Sequence, residues 1–256
     1  MTNTIDKVFR NQKGKAFIGF LTAGDPCADA TIEYVLELER AGADLIELGI
    51  PFSDPTAEGT VIQEANIRAL SAGMTTDGVF DIVARIRKTS QIPIVLVTYA
   101  NPVFHYGYQR FFAKCQELGV YGIKIQDIPY EEKQEVVIPA KEHNVTVISY
   151  VATFEKERLQ MIAGDAEGYL YMMTPIERED REMDNAFSSI LSSIREVTDI
   201  PCVAVCSVCT PEEAQRMAAL ADGIIVDTAL VGIIEEYGRD AASYLYDCVK
   251  CMKDVI

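Results

Sequence analysis

The sequence predicts an α/β fold, a (β/α)8 TIM barrel, on three observations. Eight short runs rich in β-branched residues recur along the chain. Each is followed by a longer stretch with apolar residues at i, i+3, i+4 and i+7, the spacing of an amphipathic helix. The 256 residues accommodate eight such units, and strands that alternate with helices pair in parallel. A doubly wound open sheet is the competing arrangement of the same units. With no low-complexity segment and no linker-like composition, residues 1–256 are expected to form one domain.

In chain order, the strand candidates are Ala16–Thr22, Leu45–Ile50, Pro93–Tyr99, Gly122–Asp127, Val145–Val151, Gly168–Met173, Cys202–Cys206 and Gly223–Thr228. "TIEYVLELERAGA" and "TTDGVFDIVARIRKTSQ" are helices by their apolar spacing. Gly42–Asp44 and Ala221–Gly223 read as helix ends turning tightly into a strand. In "VAVCSVCTPEE" the strand ends at Cys206 and a helix begins at "TPEE". Thr210 is its N-cap, Pro211 takes the first helical position and Glu213 closes a capping box.

Composition excludes several function classes. The net charge of -16 repels nucleic acid and anionic membrane surfaces. No apolar run reaches the roughly 20 residues that span a bilayer, and the N-terminus lacks the apolar core of a signal peptide. Seven cysteines, an odd number, suit a reducing cytoplasm better than a disulfide framework. Cys206 and Cys209 with Cys248 and Cys251 mimic a four-thiolate set. A barrel, however, separates the mouth from the end of its last helix, so no metal is expected. No dinucleotide fingerprint occurs, and no cofactor is implied.

A barrel of this type carries its site where the strands end. Glu47 lies within "LIELG", and a carboxylate inside a buried strand is costly unless it is paired or used. Asp54 and Glu58 follow on the next loop, which brings carboxylates to one mouth, as general acid–base chemistry requires. In "GIKIQD" the isoleucines face the helices, leaving Lys124 and Gln126 to face the interior. Lys124 has two readings. It is a structural ion pair with Glu47 or Asp227, or a desolvated amine able to form a Schiff base or hold an anion.

Several stretches together resemble the α subunit family of tryptophan synthase: "AFIGFLTAGDP", "GADLIELGIPFSDPTAEG", "VLVTYANPVFHYG", "DIPYEE", "GYLYMM" and "ADGIIVDTALV". The resemblance runs over nearly the whole chain. It implies a barrel that cleaves indole-3-glycerol phosphate to indole and glyceraldehyde 3-phosphate by a retro-aldol reaction, passing indole to a pyridoxal-phosphate β subunit. By the same resemblance Glu47 is the catalytic glutamate, Glu58 stands where the family keeps a catalytic aspartate, and Tyr171 is an active-site tyrosine. Phe20, Thr22 and Tyr99 fall among the substrate-facing residues, and Asp54, Asn101 and Pro102 at the β-subunit contact.

The departures from that family are concentrated. The glycine-containing closing loop is replaced by "TPIERED", residues 174–180, without a glycine. The Gly-Phe-Gly-Ile-Ser phosphate cradle is replaced by residues 205–209, Val-Cys-Ser-Val-Cys, which leaves Ser207 as its polar member. The Gly-Ser at the last helix N-terminus is replaced by Asp227 and Thr228, and an aspartate opposes a phosphate dianion. Lys124 and Tyr150 stand where the family carries apolar residues. The expectation is therefore a carbon–carbon lyase of this family with an altered substrate. The alternative is a non-catalytic partner that regulates a β-type subunit.

Overall fold

The computed structural model describes residues 4–10, 14–152, 155–173, 180–206 and 210–256. Nine parallel strands form one sheet that curls into a nearly closed barrel, in the order β5-β4-β3-β2-β1-β9-β8-β7-β6. They are β1 (Ala16–Thr22), β2 (Leu45–Gly49), β3 (Ile94–Thr98), β4 (Gly122–Ile125), β5 (Thr146–Val147), β6 (Ser149–Val151), β7 (Leu170–Met172), β8 (Cys202–Cys206) and β9 (Gly223–Val226). The predicted strands are all present. Val145–Val151 is divided: β5 bonds to β4 and β6 bonds to β7, with Ile148 between them. Above that point β4 and β6 are not hydrogen-bonded neighbours, so the wall carries a seam.

Twelve α-helices accompany the strands among the described residues. They are α1 (Thr4–Arg10), α2 (Ala28–Ala41), α3 (Thr60–Ser71), α4 (Thr76–Ile86), α5 (Ala100–Tyr106), α6 (Tyr108–Glu117), α7 (Gln134–Glu142), α8 (Lys156–Gly164), α9 (Asp180–Arg195), α10 (Pro211–Leu220), α11 (Thr228–Tyr237) and α12 (Ala242–Lys253). None is long and apolar enough to cross a membrane.

Alternation along each strand separates two cores. Phe17, Leu21, Ile46, Leu48, Ile123, Ile125, Leu170 and Ile224 pack outward into the shell of helices. Ile18, Leu45, Val95, Ile148, Tyr169, Tyr171, Val203 and Ile225 fill the barrel interior. α1 closes the lower end: Ile5 and Val8 join the interior cluster, and the Phe9 and Tyr169 rings lie 5.7 Å apart. Gly122 makes room for that plug, because a Cβ there would lie 2.9 Å from Ile5 Cδ1.

The "GAD" and "ADG" pieces do more than turn the chain. Gly42 ends α2 in the left-handed conformation at φ 111°. Asp44 Oδ2 then accepts from the Phe17 N–H at 2.7 Å, and Asp222 Oδ2 accepts from the Cys202 N–H at 2.8 Å. Each aspartate ties the start of its own strand to a neighbouring strand. At α10, Thr210 Oγ1 accepts from the Glu213 N–H at 3.2 Å, with Pro211 in the first turn. The Glu213 carboxylate, however, pairs with Arg216 at 2.8 Å, so only half of the predicted capping box forms.

Cys206 is buried in the outer core and does not line the mouth. Cys248 is disulfide-bonded, an exception to the reduced set that the cysteine count suggested. No group of three or more His, Cys, Asp or Glu residues among the described ones could hold a metal ion.

Candidate functional site

Five strands, β1 to β4 and β7, deliver the centre of the site. Register places Glu47 beside Phe20 of β1 and Val95 of β3, and Lys124 beside Val97. With side chains alternating inward and outward, the inward positions of β2, β4 and β7 bring Glu47, Lys124 and Tyr171 into one space. Gly49, the next inward position after Glu47, lets the Phe20 ring lie over its backbone; a Cβ would sit 2.9 Å from Phe20 Cζ.

The two charges at the centre are paired. Lys124 Nζ donates to Glu47 Oε2 at 2.7 Å, and the two side chains are 3% and 1% exposed. The other carboxylate oxygen, Oε1, accepts from the Tyr169 hydroxyl. Lys124 Nζ also lies 3.6 Å from the centroid of the Tyr171 ring, within cation–π range. Of the two partners the sequence offers Lys124, the structure selects Glu47 as the bonded one. Tyr169 is a site residue that the sequence reading missed. Its signal is present in "GYLYMM", where it stands two residues before Tyr171 and therefore on the same face.

Glu58 arrives from the loop after β2. Its Oε1 accepts from Gln126 Nε2, and Gln126 sits one inward position nearer the mouth than Lys124. Burial pushes the Glu58 carboxyl up to about 7; Lys124 opposes the rise, while Asp227 and Glu47 add to it. Asp227 is likewise raised by burial, against the Thr228 N–H and Lys124. Burial is also the main cause that holds Tyr169 and Tyr171 protonated well above the ordinary phenol range. Glu47, Glu58, Lys124, Gln126, Tyr171, Asp227 and Phe20 line one cavity of about 10 Å³, room for a single water-sized group. Among the described residues, Lys124 is the only cation in that lining.

A second small cavity, also about 10 Å³, adjoins it and is lined by Phe20, Thr22, Glu58, Thr98 and Tyr99. The Thr22 and Thr98 hydroxyls are buried with no hydrogen-bond partner among the described residues. Tyr99 takes a positioning role. Its hydroxyl accepts from the Ala57 N–H at 3.0 Å, and its ring lies 5.3 Å from Phe52, which pins the loop that carries Glu58.

Tyr150 faces inward, as its strand predicts, but on the seam side of the barrel. Its hydroxyl donates to the Gln126 carbonyl at 3.2 Å, but the ring lines a separate cavity of about 290 Å³. That cavity opens at the seam between β4 and β6 and runs to Val136 and Ile162 on α7 and α8. Tyr150 also packs against the interior cluster that holds Tyr169 and Tyr171, but it does not line the small Glu47 cavity. Asp227 meets the site at the start of α11: it is the N-cap and lines the Glu47 cavity, and its carboxylate accepts from the N–H of Thr228, which lines neither small cavity. The helix end that would otherwise face an anion thus carries a carboxylate of the chain itself. Ser207, Cys209 and residues 174–179 lie outside the described residues. Asp54 and Asn101 are exposed and Pro102 is half-buried; Asp54 accepts from the Ser53 hydroxyl at 2.6 Å.

Chemically this is an acid–base cluster around one amine: an ionic pair, a carboxyl that titrates near neutrality, and two phenols. Comparison with known proteins adds a family. A sequence model described as "Tryptophan synthase alpha chain" matches residues 7–255. The tryptophan synthase alpha chain of Lacticaseibacillus casei is 39% identical over 236 residues, 91% of this chain and 88% of that relative. That of Alkaliphilus metalliredigens is 37% identical over 231 residues, 90% and 87% of the two chains. The crystal structure of tryptophan synthase subunit alpha from Legionella pneumophila superposes with a TM-score of 0.92 at 33% identity, covering 100% of this chain and 99% of that one. The tryptophan synthase complex from Pyrococcus furiosus gives 0.85 at 33% identity, covering 93% and 98%.

Proposed function

The chain belongs to the tryptophan synthase alpha-chain family, and we propose that it acts there as a carbon–carbon lyase of the retro-aldol type on an altered substrate, smaller and more polar than indole-3-glycerol phosphate. The observation that carries this reading is the buried Lys124–Glu47 pair at the barrel centre. Lys124 stands where the resemblance expects an apolar side chain against the indole ring. An ammonium with a 2.7 Å carboxylate partner makes that wall polar. At the other end Asp227 occupies the N-terminus of α11, where a phosphate would meet a carboxylate.

The acid–base parts of a lyase are nevertheless present. Glu58, titrating near 7, can exchange a proton with a substrate hydroxyl at neutral pH, where general acid–base catalysis is most efficient. Glu47, held by Tyr169, supplies a second carboxylate. The Thr22 and Thr98 hydroxyls offer hydrogen bonds to an oxygen-rich substrate in the adjoining space.

A second reading has its own support. Both Glu47 oxygens are engaged and the cavity beside them is small. Asp54, on a loop, and Asn101, in the first turn of α5, meanwhile remain exposed at positions that the resemblance places at a β-subunit contact. The Pyrococcus furiosus neighbour was solved as a tryptophan synthase complex. On this reading the chain is a non-catalytic partner of a β-type subunit.

Aldehyde release decides between the two. The purified chain is incubated with indole-3-glycerol phosphate and with unphosphorylated β-hydroxy ketones, each with and without a β subunit. The lyase reading expects aldehyde from a β-hydroxy ketone and a loss of about 10²-fold or more in Glu47→Gln. No aldehyde from any compound, together with stimulation of the β subunit that survives Glu47→Gln, establishes the second reading instead.

A further inference from the structure

We propose that Lys124 is a catalytic residue that forms a Schiff base with the carbonyl group of the substrate, so that the substrate class is a β-hydroxy ketone or β-hydroxy aldehyde cleaved through an enamine. This rests on the lyase reading and deepens it.

The placement is specific. A lysine amine in water is solvated and protonated, and a buried one persists only where a partner holds it. Here the amine is at the centre of the barrel, with a carboxylate at 2.7 Å able to take its proton and a phenol fixing that carboxylate from the far side. A second carboxyl, Glu58, lines the same cavity and, raised by burial to about 7, is protonated in a large share of molecules at neutral pH. A purely structural pair needs no second acid beside it. Asp227 and Tyr171 complete the wall, so a carbonyl carbon brought to Nζ meets proton donors and acceptors on several sides.

The steps balance with the groups present. Lys124 passes a proton to Glu47, and its free amine attacks the carbonyl carbon, forming the C–N bond and a carbinolamine. Glu58 then protonates the departing hydroxyl, water leaves, and an iminium ion forms. The ionised Glu58 takes the proton of the β-hydroxyl; the C–C bond breaks, its electron pair moves into the iminium, and an aldehyde and an enamine result. Glu47 returns its proton to the enamine carbon, and water hydrolyses the new iminium to a ketone and the Lys124 ammonium. Glu47 ends ionised and Glu58 protonated, as they began.

Borohydride trapping tests this. The full chain is incubated with dihydroxyacetone or pyruvate, reduced with sodium borohydride, digested and mapped by mass spectrometry. The expected result is a reduced adduct on the peptide bearing Lys124, formed at least tenfold faster than on the exposed Lys88. It should be absent from Lys124→Arg, which keeps a cation beside Glu47. Lack of an adduct on Lys124 with either ketone, or labelling no faster than at Lys88, overturns the proposal. Because trapping requires no cleavage, the two readings fail separately. An adduct without aldehyde release leaves the Schiff base and removes the lyase. Aldehyde release without an adduct leaves an acid–base lyase and removes the Schiff base.

Discussion

Lys124 and Glu47 hold each other in place, and neither is tolerable alone. Removing one partner of a buried ion pair leaves a bare charge in the core and costs about 3–5 kcal/mol. Lys124→Met should therefore lower the urea midpoint sharply. The double variant Lys124→Met/Glu47→Gln should recover most of the loss, since the introduced amide carbonyl would still accept from Tyr169. Equal midpoints for the single and double variants would show that the pair is not what the core depends on. Glu58 makes an opposite, pH-dependent contribution. Its folded value of about 7 lies above the ordinary 4.5, so between those values the folded chain keeps a proton that the unfolded chain has lost. Stability from this group is thus complete below about pH 4.5 and is lost as pH rises through about 7. Asp227, also raised, acts in the same direction. Glu58→Gln should match the parent near pH 5 and exceed it at pH 8, by a few kcal/mol at most. Urea titrations at both values check this, and an identical difference at both would contradict it. At this scale the sequence is informative for acids and amines, because a charge written into a strand demands a partner. It is less so for Tyr169, an amphipathic residue that reads equally well as core.

Strand positions are legible because a parallel barrel buries both faces, which forces β-branched runs bounded by turns. Cys202–Cys206 matches its predicted bounds, whereas Gly223–Thr228 ends early because Asp227 caps α11 and Thr228 begins it. The seam in the fifth strand is not legible. All residues of "VTVISYV" except Ser149 are β-branched or aromatic, so the run reads as one strand, and the division at Ile148 arises from which neighbour each half can reach. Alternation places Tyr150 against the interior cluster, where it packs, and does not reveal the cavity that opens beside it at the seam. Tertiary ties between elements are equally hidden. Asp25, 1% exposed in the β1–α2 loop, receives two bonds of 2.8 Å from Arg68 on α3. Arg68→Met strands that carboxylate and should cost about 3 kcal/mol, visible as a lowered thermal midpoint. A loss below about 0.5 kcal/mol, the range of an exposed pair, would show that the link is dispensable.

The whole molecule carries 39 acidic against 23 basic side chains, a net charge of -16. Self-repulsion at that charge outweighs exposed ion pairs worth a fraction of a kcal/mol each. The thermal midpoint should therefore rise by a few degrees between low salt and about 0.5 M sodium chloride, as the Debye length contracts to about 4 Å. A falling midpoint would mean that the surface pairs dominate. The family is legible at this scale because its strand-end motifs are long and contiguous. The altered centre we propose rests on single residues within them, Lys124 and Asp227 foremost, whose meaning depends on what each side chain touches. The proposed substrate change stands on the polar Lys124–Glu47 centre where the resemblance expects the indole site, and on Asp227 where it expects the phosphate. Its most direct test is indole release from indole-3-glycerol phosphate, run beside the Lacticaseibacillus casei alpha chain with the same β subunit. The expected result is no indole from this chain above the enzyme-free background. Indole released at a rate comparable to that of the Lacticaseibacillus casei chain would contradict it.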